Sequence, residues 1–132
     1  VKKKWFSLNQ IQRVLNLAGV QVKKFKPCRG DVDKFDWRMK LRVKGVHVMF
    51  KNDVTLSIQW GGQNYCDQGL TSCEVMAWDE NDTPLCIPGF LEPQHFDQVI
   101  GHVDREDLIL IVKACANMTE KINKKLPSVL ED

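Results

Sequence analysis

Trp37-Arg38-Met39-Lys40-Leu41-Arg42-Val43-Lys44 is the stretch whose reading decides the fold. Trp37, Met39, Leu41 and Val43 alternate strictly with Arg38, Lys40, Arg42 and Lys44. A period of two belongs to a β-strand with one dry face and one wet face. Lys44-Gly45 then reads as a turn or bulge. Val46 to Phe50 reads as a second, apolar strand, and Lys51-Asn52-Asp53 as the next turn. Leu56, Ile58 and Trp60 alternate with Thr55, Ser57 and Gln59, which predicts a third, half-buried strand. Short turns between consecutive strands imply an antiparallel meander.

Upstream, Ser7 followed three residues later by Gln10 is an N-cap signal. Leu8, Ile11, Val14, Leu15 and Ala18 recur at helical spacing and Gly19 supplies the stop, so a helix is expected over 8–18. Val20 and Val22 open a short strand that Pro27 is expected to end, and residues 28–35 read as a polar connection. Downstream, Gly61 to Ser72 is a long polar loop, Cys73 to Trp78 another strand, and Asp79-Glu80-Asn81-Asp82 a hairpin-like turn. Pro84, Pro88 and Pro93 break up the next stretch. Asp104, with Asp107 three residues on, caps a long helix whose stripe runs from Leu108 through Ile111, Val112, Cys115, Met118 and Ile122 to Leu126, before Pro127. The expected fold is α+β: an antiparallel sheet of about four to six strands with an N-terminal and a long C-terminal helix packed on one face. All of 1–132 is read as a single domain, with neither repeat nor linker.

Composition agrees. A chain of 132 residues that is 43% hydrophobic and 27% charged can bury its own core and is not expected to be disordered. The longest apolar run, Leu108 to Val112, is too short for a membrane helix, and Lys2-Lys3-Lys4 is not followed by a signal-type apolar segment. The five cysteines are odd in number and irregular in spacing, which argues for reduced thiols and a cytoplasmic setting.

The net charge of +2 hides two opposed blocks. Residues 1–51 carry 14 Lys and Arg against three Asp and Glu, and residues 52–103 carry eight acids and no Lys or Arg. Arg38, Lys40, Arg42 and Lys44 would form one row on one strand face. Such a row repels itself unless it is solvated or met by anions. It reads as a solvated face or as a docking surface for a protein with an acidic surface or for nucleic acid, and the opposed blocks also allow homo-oligomers. Trp37 falls on the dry face, so the aromatic interleaving of a nucleic-acid surface is incomplete.

Cys66, Cys73, Cys86, His95 and His102 lack the close pairing of zinc ligands, and no catalytic, phosphate-loop or dinucleotide signature is present. Neither metal nor cofactor is therefore expected. The segment Gln59-Trp60-Gly61-Gly62-Gln63-Asn64-Tyr65-Cys66 is the better candidate. Its glycines permit close approach, Gln59, Gln63 and Asn64 donate and accept, and Trp60 and Tyr65 offer flat faces. That set suits a planar, nucleotide-like ligand or a protein interface, and equally a wide turn whose aromatics cap the core.

Around this loop, Ser57-Ile58-Gln59-Trp60-Gly61 with Asn64-Tyr65-Cys66, then Glu74-Val75-Met76-Ala77-Trp78-Asp79 and Asp97 to Val103, resembles a pattern found in small uncharacterised proteins of phages and prophages, over about residues 57–112. The resemblance implies a viral accessory protein, and many of these act by binding, as inhibitors of a host defence protein or as traps for its signal molecule. It assigns no catalytic residue. The leading expectation is thus a non-enzymatic phage or bacterial accessory binding protein, with a binder of a small nucleotide-like ligand second and a nucleic-acid binder third.

Overall fold

The computed structural model of the protein describes residues 5–28, 44–61, 66–67, 69–90 and 99–119. Helix α1 (Leu8–Ala18) forms between the two signals read above. Ser7 is extended and its hydroxyl accepts the Gln10 N–H at 3.3 Å. Gly19 takes φ 67°, a left-handed conformation that costs glycine little, and donates its N–H to the carbonyls of Leu15 and Asn16.

Five strands follow: β1 (Val22–Cys28), β2 (Gly45–Phe50), β3 (Thr55–Gln59), β4 (Cys73–Trp78) and β5 (Ile100–Val103). They pair in sequence order, every pair antiparallel. The chain then enters α2 (Arg105–Ala116), whose N-cap Asp104 accepts the Asp107 N–H at 2.9 Å. The fold is α+β, as expected.

Register decides which side chains meet. Val46 lies opposite Ile58 and Val48 opposite Leu56, while Leu56 and Ile58 lie opposite Ala77 and Val75. This apolar face packs in one cluster with Ile11, Val14 and Leu15 of α1 and with Leu108, Ile111, Val112 and Cys115 of α2. The two helices touch each other, and α2 reaches β3. Each large aliphatic chain so buried contributes about 1.5–3 kcal/mol.

Four expectations need correction. Pro27 does not end β1: it pairs with Val46 and the strand runs on to Cys28. Among the described residues β1 is an edge strand, where a missing N–H that points away from the neighbour costs no ladder bond. Gly45 is not a turn but the first residue of β2, because the side-chain amide of Gln59 occupies the space a Cβ would need. β3 is not half-wet: Thr55 and Ser57 are only 6% and 7% exposed, because His47 and Trp78 meet edge to face, 5.0 Å between ring centroids, from the strands on either side. Helix α2 stops at Ala116, ahead of the predicted Leu126. The Asn52 amide there donates to the carbonyls of Cys115 at 2.8 Å and Met118 at 3.0 Å, satisfying acceptors of the last turn where the helix ladder leaves off. Strand β5 was not expected. It has four residues, one a glycine, with His102 left-handed at φ 53° beside a register shift, so it shows no alternation.

Candidate functional site

The outward side chains of the first four strands make the site. Alternation places Lys24 and Lys26 on that face of β1, His47 and Met49 on β2, Thr55 on β3 and Trp78 on β4. The register aligns them: Lys26 lies opposite His47, Lys24 opposite Met49, Met49 opposite Thr55, and Thr55 opposite Trp78. Together with Asp82 they line an open groove of about 300 Å³ to which neither helix contributes.

The groove is electrically polarised. Lys24 and Lys26 are exposed on one wall, and among the described residues no carboxylate pairs with either. Asp82 lines the groove from the turn after β4, three strands across the sheet from β1. It is left-handed at φ 61° in a turn organised by the buried Asp79, whose carboxylate accepts the N–H groups of Asn81 at 2.8 Å and Thr83 at 3.0 Å. Between β1 and that turn lie the indole of Trp78 and the imidazole of His47. Burial, and then the neighbouring Lys26 ammonium, hold the His47 pKa below its ordinary value of 6.5. His47 therefore stays neutral at neutral pH and leaves the positive charge to the lysines.

Of the sequence-derived candidates, Arg38, Lys40, Arg42, Gln63, Asn64 and Tyr65 lie outside the described residues. Lys44 is half-buried; its N–H donates to the Cys28 carbonyl and its carbonyl accepts from Trp60. Gln59 lies across Gly45 and donates to the Cys28 thiol at 3.0 Å and the Ser57 hydroxyl at 3.1 Å. Trp60, expected to offer a stacking face, is 3% exposed. Its ring packs near Phe6 and against Gly69, since the backbone of residues 5 and 6 hydrogen-bonds to that of residues 69 and 70 and closes over it. Its work is in the core.

The loop behind Trp60 is pinned by Asp67. Its carboxylate accepts from the backbone N–H groups and hydroxyls of both Thr71 and Ser72. Desolvation raises the Asp67 pKa, but these hydrogen bonds outweigh it and hold the carboxyl well below the usual range. Cys73, Cys86 and Cys115 are buried, and Cys28 and Cys66 are half-buried. Among the described residues no three His, Cys, Asp or Glu side chains are grouped to hold a metal ion.

The groove residues were missed because each is unremarkable on its own strand. The available signal was parity: His47 and Met49 fall between Val46, Val48 and Phe50, and Trp78 falls out of step with Val75 and Ala77. Comparison of the chain with protein-family models, with curated proteins and with solved structures finds no match.

Proposed function

We propose that this chain is a non-enzymatic binding protein that holds a small, nucleotide-like anion on the outer face of its sheet. The observation that carries the reading is the polarised groove, with Lys24 and Lys26 at one end and the indole of Trp78 beyond. Ammonium groups attract phosphate, and an indole face accepts a planar ring. The groove's volume is at the lower end of the range of ligand pockets, roughly 300–1,000 Å³. The resemblance to phage accessory proteins points the same way, since a trap for a signalling nucleotide needs affinity and no chemistry.

A second reading is an accessory inhibitor that docks on a host protein with an acidic surface. The exposed Lys23, Lys24 and Lys26 of β1 favour it, in line with the basic first third of the chain. Native mass spectrometry of protein purified gently from cells separates the two. An added mass of nucleotide size, lost on denaturation and absent from a Lys24→Ala/Lys26→Ala variant, is the expected result. A bare mass, together with no binding of any purine or pyrimidine nucleotide in titration, overturns the ligand reading. Co-purification of an acidic protein, lost in the same variant, would put the inhibitor in its place.

A further inference from the structure

We infer that the groove selects guanine nucleotides, with the phosphate at Lys24 and Lys26, the base against Trp78 and the base's edge on the Asp82 carboxylate. The inference rests on the ligand reading above and adds orientation and base identity to it.

Orientation follows from charge. A phosphate is drawn to the lysine wall and repelled by Asp82, so the ligand can lie only one way in the groove. Lys24 and Lys26 are two residues apart on one face, about 7 Å along the strand, so both ammonium groups can reach one phosphate. Trp78 lies three strands from β1, roughly 14 Å at the backbone. The long lysine side chains shorten that span to something a mononucleotide bridges.

Base identity follows from Asp82. An ionised carboxylate only accepts, through two adjacent oxygens. Guanine presents two adjacent donors, its ring N1–H and its amino N2–H, and these match the two oxygens. Adenine presents one amino donor flanked by ring-nitrogen acceptors, which would face the carboxylate lone pairs. Hypoxanthine keeps the ring N–H and lacks the amino group. Asp79 holds the N–H groups of Asn81 and Thr83 on either side of Asp82, so the backbone that carries the carboxylate is fixed.

Isothermal titration of the full chain with GMP, IMP, AMP and guanosine tests this. GMP should bind tightest, with IMP, AMP and guanosine each weaker by about tenfold or more, as expected for losing a charge-assisted hydrogen bond or the phosphate contact. Asp82→Asn should erase the preference for GMP over AMP, and asparagine tolerates the left-handed backbone at this position. Lys24→Ala/Lys26→Ala should erase the preference for GMP over guanosine. Equal affinity for GMP and AMP, or a preference that survives Asp82→Asn, overturns the guanine assignment and leaves the ligand reading standing. No binding of any of the four overturns the guanine assignment, and a bare native mass with no binding of CMP or UMP either overturns the ligand reading as well. The wild-type series decides the question even where a variant fails to fold.

Discussion

Gly45 shows how one residue can tie three others together. Gln59 lies flat over it and, from there, donates to Cys28 and Ser57. A methyl group at Gly45 would collide with the Gln59 amide and force it aside. Gly45→Ala should therefore release the Cys28 thiol, raising its rate of labelling by a thiol reagent several-fold, at a cost of about 1 kcal/mol for the lost hydrogen bonding. Labelling of Cys73 should not change, because that thiol is fully buried and burial raises its pKa. Unchanged Cys28 labelling would mean that Gln59 does not shield it. Nothing in the isolated segment Lys44-Gly45 distinguished this strand position from a turn, because the decisive neighbour is 14 residues away.

At the scale of elements, the β2–β3 turn and the end of α2 form a joint. Asn52 donates to carbonyls at the end of α2 while its own carbonyl oxygen accepts the Val54 N–H at 3.1 Å. A single side chain thus closes the hairpin and caps the helix, and the amide is only part-exposed. Asn52→Ala should cost about 1–3 kcal/mol, since partly buried carbonyls lose their donor. Denaturant unfolding would read it as a lower midpoint at unchanged slope. A loss under 0.5 kcal/mol or so would show that water replaces the amide without penalty. Helix α2 ends early for this reason, and its stripe alone could not reveal it: Met118 continues the apolar spacing but is buried beyond the helix.

Across the whole molecule, two groups make stability depend on pH in separate windows. His47 has a folded pKa below 6.5, through burial and then Lys26. The folded state thus takes up this proton less readily than the unfolded chain, and stability is full above 6.5 and declines as pH falls below it. Asp67 has a folded pKa below 3.8, so its contribution is present above that value and lost as pH falls beneath it. Urea unfolding followed from about pH 8 to about pH 3 should show two successive declines, and His47→Gln should remove the first alone. A single decline in the wild type, confined to the acid end, would show that His47 titrates alike in both states. The same His47 joins Lys26, Trp78 and Met49 at the groove, so the acid-sensitive face of the sheet is also the face proposed to bind.

Local patterns in the sequence determined a good deal. Ser7 and Gly19 bounded α1 and Asp104 opened α2; an apolar run marked the strand at 46–50, alternation the one at 55–60 and a following turn the one at 73–78, and the short turns gave their antiparallel order. These succeed because caps, turns and alternation depend on residues within a few positions of one another. The basic row Arg38, Lys40, Arg42 and Lys44 was read from the same kind of local pattern, and its first three members lie outside the described residues. Tertiary structure alone decided the rest. It took Trp60 into the core by closing residues 5–6 and 69–70 over it. It also gathered Lys24, Lys26, His47, Met49, Thr55, Trp78 and Asp82, drawn from four strands and a turn, into one groove. The physical reason is register: the hydrogen-bond ladder sets which outward side chains become neighbours, and no single strand's sequence carries that information.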